Sequence, residues 1–289
     1  MESLINRANI LIETLPYIKT FFGKTIVIKY GGKAMVDEEL KHCFAQDIVL
    51  LRYIGAKPVV VHGGGVQINQ VMKKMGKKAE FIDGLRVTDI ETMEIVEMVL
   101  GGRISSEIVS LINHHGAQAV GLTGVDGKLI EACQTTDGGS TSGRSLTGQA
   151  TKINPGLLET LDESGFIPVI APIGAGTDGK RYNINADTVA SEIATTLSAL
   201  KLIILSDIKG ILKDIKDPNS LIPTLKVEEI DLLINDGCIS EGMIPKINAC
   251  KNAISSNKVD KAHIIDGRIP HSILLELFTD KGIGTQIVR

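Results

Sequence analysis

Lys29 ends the apolar, β-branched run Thr25-Ile-Val-Ile and is followed by Tyr30, Gly31 and Gly32. A cation at the end of a buried strand is costly unless something anionic meets it. Adjacent glycines let the backbone come close to a ligand and aim N–H groups at it. The device recurs: Pro58-Val-Val-Val-His62 runs into Gly63-Gly64-Gly65, and a helical pattern starts at once with Val66. Strand, glycine turn and helix N-terminus together gather free N–H groups and the positive end of the helix dipole. Taken alone, Lys-x-Gly-Gly is equally a strand whose lysine snorkels into water beside a turn. The repetition favours anion sites at the carboxyl ends of parallel strands, where open α/β sheets bind ligands.

Three further groups extend this chemistry. Arg86 lies in a loop soon after the glycine run and can clamp a carboxylate bidentately. In Tyr182-Asn-Ile-Asn-Ala-Asp187, alternation puts Asn183, Asn185 and Asp187 on one face just before a helix. Short polar side chains aimed one way need a ligand or a lysine, although capping a helix is a second use for them. Lys246 sits at a helix start, in Gly242-Met-Ile-Pro245-Lys246, where a cation opposes the dipole and an anionic ligand explains it better than stability does.

The elements that must carry these residues alternate strand and helix, which predicts an α/β three-layer αβα sandwich around a central, mainly parallel sheet. Helices are expected over 4–22 (with Pro16 kinking or dividing it), Asp37–Gly55, Val66–Met75, a long stretch capped by Thr88 and Glu91, Pro155–Gly165, Thr188–Leu200, Thr224–Asp236 and His271–Phe278. Buried strands are expected at Pro58–His62, Phe166–Ile173, Leu202–Ser206, Ala262–Ile265 and after Gly282-Ile-Gly284. Turn signals at Asp126-Gly127 and Asp137-Gly138-Gly139 predict hairpins over one sheet edge. The N-terminal helix precedes the first strand and must bury its apolar stripe on its own domain or on another subunit.

The 289 residues are 43% hydrophobic with a net charge of −3, ample for a large core and against a nucleic-acid or membrane surface. Aromatic residues are 3% with no tryptophan, against base stacking. No apolar run spans a bilayer, and the first twenty residues fit neither a secretory signal nor a transit peptide. Cys43, Cys133, Cys238 and Cys250 are scattered, as expected of reduced thiols, and the histidines show no metal spacing. The chain reads as a soluble intracellular protein.

Gly174-Ala-Gly-Thr-Asp-Gly179 fits G-x-G-x-x-G, which would make the chain a nicotinamide-dependent oxidoreductase. That motif needs an apolar helix directly after it, whereas Gly179-Lys-Arg-Tyr182 reads as a turn re-entering a strand. The oxidoreductase reading also leaves both lysines without a role.

Assembled in order, Ile28–Gly32, His62–Gly65, Gly84-Leu-Arg-Val-Thr-Asp89, Asn183–Asp187 and Gly242–Lys246 resemble the amino-acid kinase family over nearly the whole chain. Gly84–Asp89 and Glu276–Thr285 resemble its branch acting on N-acetyl-L-glutamate. Departures are Lys33, Glu241 and Ser206; the Glu241 side chain is expected to face away from the phosphates. The resemblance implies ATP and Mg2+, and phosphoryl transfer to the γ-carboxylate of N-acetyl-L-glutamate, the second step of arginine biosynthesis. It implies an N-terminal helix over 1–22, a substrate-binding and dimerising lobe over 23–198 and an ATP-binding lobe over 199–289. Lys29, Lys246 and Asp187 would be catalytic; Gly31, Gly32, Gly64, Gly65, Arg86, Asn183 and Asn185 would hold the substrate. Asp207, Gly210, Leu212, Ser240, Gly242 and Lys246 would hold the nucleotide. The additional helix resembles that of arginine-inhibited homohexamers (trimers of dimers), with Tyr17, Lys213, His271, Glu276 and Gly282 matching the positions for L-arginine. The C-lobe is similar to cyanobacterial and plastid members, implying a PII signalling protein as partner and a cytoplasmic or plastid-stroma location. The alternatives are a sister kinase acting on another acidic amino acid, and a non-catalytic amino-acid sensor, which would be expected to lack a lysine or Asp187.

Overall fold

β1 (Thr25–Tyr30) lies near the middle of the sheet because both its neighbours are supplied by distant parts of the chain. On one side it pairs in parallel with β2 (Lys57–His62), and on the other with a strand beginning at Lys201. The computed structural model describes residues 1–82, 84–135, 145–214, 216–217, 219–239 and 241–289. The Asp137-Gly138-Gly139 turn, Ser240 and the Glu241 side chain lie outside the described residues. The remaining strands are β3 (Phe81–Ile82), β4 (Leu85–Arg86), β5 (Ala119–Thr123), β6 (Ile130–Gln134), β7 (Thr147–Ile153), β8 (Ile167–Ala171), β9 (Ile173–Gly176), β10 (Arg181–Ile184), β11 (Lys201–Ser206), β12 (Thr224–Lys226), β13 (Lys261–Asp266) and β14 (Thr285–Val288). Eight of them form one sheet in the order β12-β14-β13-β11-β1-β2-β8-β5, parallel throughout except for β13 with β14.

The helices are α1 (Glu2–Phe21), α2 (Glu38–Tyr53), α3 (Gly65–Lys74), α4 (Ile90–Glu97), α5 (Ser105–His114), α6 (Gly156–Glu163), α7 (Ala186–Thr196), α8 (Ile230–Asn235), α9 (Ile244–Ser255) and α10 (Ser272–Leu277). Alternation along β1 sorts them into two layers: Ile26 and Ile28 join the core under α2, α3, α4, α5 and α10, while Val27 joins the core under α6, α7, α8 and α9. The three-layer arrangement follows directly. Asp37 caps α2 by accepting from the Leu40 N–H, and Gly55 (φ +86°) ends the following turn, as expected.

Several expected elements take another form. α1 runs unbroken through Pro16, because the proline removes one hydrogen bond and the rest of the helix carries on around it. The cap of α4 is Asp89, accepting from the Thr92 N–H, while Thr88 turns inward. α4 continues through the π-helical turn Met98–Ile104 into α5. The strand expected over Phe166–Ile173 is cut at Pro172 into β8 and β9. β6 and β7 pair antiparallel, as the hairpin reading expects, but they do not lie along the main sheet, whose edge strand is β5. β6 and β7 close with β9 and β10 into a separate four-stranded ring. Thr224–Lys226 is a strand, not the start of a helix; α8 begins only at Ile230, after a 3-10 turn. Gly174–Gly179 forms the β9–β10 hairpin, as the turn reading expects.

Candidate active site

Three parallel strands, β1, β2 and β11, end at one rim of the sheet, and each passes into a segment expected to bind a ligand: Gly31-Gly32, Gly63–Gly65 and Asp207. β1 delivers Lys29 to this rim. α7 begins on the same side, with the Asn185 side chain accepting from the Asp187 and Thr188 N–H groups at 2.8 and 3.2 Å. Asn185 thus makes the helix cap, leaving Asp187, in the first turn, to face the cations.

Asp187 joins the two lysines. Its Oδ1 lies 2.9 Å from Lys29 Nζ, and its Oδ2 accepts a hydrogen bond from Lys246 Nζ at 2.8 Å. Lys29 and Asp187 are buried, and the Lys246 side chain keeps 21% of its surface. Burial pushes the Asp187 carboxyl up, but the two ammonium groups outweigh it and hold the group below the usual carboxylate range. Burial lowers Lys29, and the Asp187 charge opposes that shift. With Asp187 ionised, the cluster carries one excess positive charge at the rim of a cavity of about 180 Å3.

Arg86 lines that cavity from β4. Its guanidinium donates to Asn69 Oδ1 at 2.6 Å and to the Gly65 carbonyl at 3.3 Å, and lies 4.7 Å over the Phe81 ring. Among the described residues no carboxylate pairs with it, although it is buried. Asn183 Nδ2 donates to Thr88 Oγ1 at 3.1 Å, and Thr88 and Thr147 both donate to the Arg86 carbonyl. Asn69, Thr88 and Thr147 were not expected from sequence: Thr88 gave a capping signal, and the other two gave none.

The glycines are fixed by contact. A side chain at Gly31 would begin 2.7 Å from Lys29 Nζ. Gly32 has φ +76°, and a Cβ there would collide with Asp207 Oδ1, the same oxygen that accepts from the Lys33 N–H at 2.6 Å. Asp207, Gly210 and Leu212 line a second cavity, of about 370 Å3, with Ile211, Met243 and Arg268. Ser240 lies outside the described residues, and Gly242 and Lys246 are not among the residues lining this cavity. Among the described residues no group of three His, Cys, Asp or Glu side chains could hold a metal ion.

Of the residues matched to an arginine site, Glu276 and Gly282 come together, and Tyr17 reaches Asp280 and Phe278 in the same segment. Tyr17 OH donates to Asp280, and a Cβ at Gly282 (φ +62°) would lie 2.6 Å from Glu276 Oε2. That oxygen accepts from the Ile283 and Gly284 N–H groups, and Oε1 lies 2.6 Å from His263 Nδ1. His271 faces elsewhere: its Nδ1 is 2.7 Å from Asp47, so the histidine beside Glu276 is His263. Burial pushes Glu276 up, and His263 together with the Ile283 and Gly284 N–H groups more than reverses this. Lys213 is held by its backbone to Ser220, with no side-chain contact to this group.

Residues 24–266 match the amino acid kinase family. The chain is 51% identical to acetylglutamate kinase of Heliobacterium modesticaldum, with both chains covered in full. It is 53% identical to acetylglutamate kinase of Moorella thermoacetica over 99% of this chain and 98% of that one. Among solved structures it is similar to an N-acetylglutamate synthase from Neisseria gonorrhoeae complexed with coenzyme A and N-acetyl-glutamate (TM-score 0.85, 25% identity). It spans 63% of that chain, and 98% of its own length is covered. A carbamate kinase from Giardia lamblia bound to AMP-PNP shares the fold at a TM-score of 0.64 and 19% identity, covering 92% of this chain and 99% of that one. With the two-lysine rim on the matched fold and relatives half identical end to end, the chain belongs to the amino acid kinase family.

Proposed function

We propose that the chain transfers the γ-phosphoryl group of ATP to the γ-carboxylate of N-acetyl-L-glutamate, releasing ADP and an acyl phosphate, in the second step of arginine biosynthesis. The observation that carries this reading is the single carboxylate of Asp187 shared by Lys29 and Lys246. The nucleophile is already an anion, so no general base is needed. The obstacles are bringing one anion onto another and holding charge spread over the transferring group. Lys29 and Lys246 flank that group from two elements, Asp187 orients both, and the Gly31, Gly32, Gly64 and Gly65 N–H groups supply further donors. Arg86, with no carboxylate partner among the described residues, and Asn183 take the substrate's α-carboxylate and so select which carboxylate reacts. The cavity at Asp207, Gly210 and Leu212 takes the nucleotide. Asp187 is already engaged by two lysines, so Mg2+ would enter with the nucleotide and would offset phosphate charge there.

The reading divides the chain into a helix over 1–22, a substrate lobe over 23–198 and a nucleotide lobe over 199–289. Leu4, Ile5, Ile10, Leu11, Ile12 and Leu15 of α1 are all more than half exposed, which supports a role for α1 in pairing subunits within a homohexamer. L-Arginine would bind where α1 meets Phe278 and Asp280, close in sequence to Glu276 and Gly282, with Tyr17, Lys213 and His271 as the further residues matched to it. A PII-type partner and a bacterial cytoplasmic location complete the reading.

The test is ADP release from Mg-ATP with N-acetylglutamate, glutamate and aspartate in parallel, with and without arginine. Turnover with N-acetylglutamate alone, suppressed by arginine, supports both substrate and regulation. Preference for a free amino acid moves the chain to a sister activity, and absence of turnover leaves a sensor. Lys29→Ala and Lys246→Ala should each lower kcat by about 10²–10³, the usual result of losing one preorganised donor. An effect on KM alone would contradict the transition-state role.

A further inference from the structure

We infer that His62 is a positioning residue that aims the Gly64 N–H at the transferring phosphoryl group; the inference rests on the kinase reading above. His62 ends β2, is completely buried, and its Nδ1 lies 3.0 Å from the Gly63 carbonyl oxygen. A carbonyl oxygen only accepts, so Nδ1 carries the proton and donates. Nε2 is then a bare acceptor, and it is buried with no partner among the described residues. Buried polar atoms are rarely left in that state, and the other tautomer would leave Nδ1 and the carbonyl facing each other without a proton. The Gly63 carbonyl therefore dictates the form of the ring.

The peptide it holds is the one that matters. Gly63 N–H donates to the Tyr30 carbonyl at 2.8 Å, its carbonyl accepts from His62, and the Gly64 carbonyl accepts from the Ile68 N–H at 2.9 Å. Every polar group around the Gly63–Gly64 peptide is thus engaged except the Gly64 N–H, for which no acceptor exists among the described residues. In a trans peptide the C=O and N–H point in opposite directions. With the Gly63 carbonyl turned to the imidazole, the Gly64 N–H turns away from it, toward the cavity that Gly63, Gly64 and Gly65 line with Lys29 and Asp187. Burial holds the imidazole pKa down to about 4, so the ring stays neutral and unchanged through the physiological range.

Two measurements test this. In the full-length wild-type protein, 15N-resolved NMR of the imidazole should show His62 as the neutral Nδ1–H tautomer from pH 5 to pH 8; an Nε2–H tautomer, or titration near 6.5, would overturn the proposal. In the ADP-release assay, His62→Asn keeps an N–H donor near the Nδ1 position and should stay within about threefold of wild type. His62→Phe fills the volume without a donor, and His62→Gln carries its donor too far out; each should lose kcat by ~10–100-fold, less than deleting a donor outright. KM for ATP should change little. Equal losses in Asn and Phe, or none in Phe, would reject the role. The NMR result does not depend on which substrate the enzyme takes. A wild-type protein inactive on N-acetylglutamate would therefore count against the kinase reading and its phosphoryl target, while the NMR result alone decides whether His62 holds the Gly63–Gly64 peptide.

Discussion

Two ammonium groups share one carboxylate at the rim of the sheet, and substitutions there follow from that imbalance. Asp187→Ala should cost on the order of 3–5 kcal/mol of stability, because it leaves Lys29 buried and uncompensated with Lys246 close by. Chemical denaturation would measure it, and added sulfate should recover part of the loss by standing in for the missing anion. His62 gives a pH signature. The unfolded chain protonates this imidazole near 6.5 and the folded chain only near 4. Acidification through that window therefore favours the unfolded state, by on the order of 3 kcal/mol at its lower end. Asp47, pushed up to about 6 by burial, acts with the opposite sign and is present equally in a variant. The contribution is therefore read as a difference: wild type should lose more stability than His62→Asn between pH 6.5 and pH 4. Lys29, Asp187 and Lys246 were legible in the sequence because charge in an apolar or dipole-opposed setting has few bland explanations. Asn69 and Thr147 were not, because a polar residue on a helix or strand has many. His271 has left-handed backbone (φ +54°) and turns its ring to Asp47, while His263 reaches Glu276 from β13.

At the scale of elements, α1 stands apart. It reaches the body chiefly through Tyr17 and Phe21, whose rings sit 6.0 and 5.6 Å from that of Phe278. Its earlier turns expose their apolar side chains. Deleting residues 1–20 should abolish the proposed hexamer and the proposed arginine inhibition while leaving basal turnover within about twofold, read by light scattering and the same ADP assay; inhibition that survives would detach the proposed arginine site from this helix. The strands and the helices flanking them were largely readable, since period-2 and period-3.6 patterns are strong when a face is buried. Thr224–Lys226 misled because its short run pairs with β14, the last strand of the chain, and only that distant partner makes it a strand. The four-stranded ring was hidden for the same reason: β6 pairs with β9 in parallel, a contact that turn residues do not encode.

For the whole molecule, the proposed lobes share one sheet and two cores. Ile203, Leu205, Ile265 and Ile273 pack with first-half residues in one core, and Val27, Val59 and Val61 pack with second-half residues in the other. Residues 1–198 alone should therefore show no cooperative unfolding and should self-associate, because β1 would present an unpaired edge; a monomeric fragment with a sharp denaturation transition would contradict this. That same strand has a consequence for how the protein is made. β1 is among the first segments to leave the ribosome, yet β11, which must cover its other edge, begins at Lys201. At ~5–20 residues per second, β1 waits on the order of 10–30 s for that partner. During synthesis the strand bearing Lys29 is thus open to the wrong neighbour, and crowded polysomes or a shortage of chaperones should reduce the yield of active enzyme before any folded-state property comes into play.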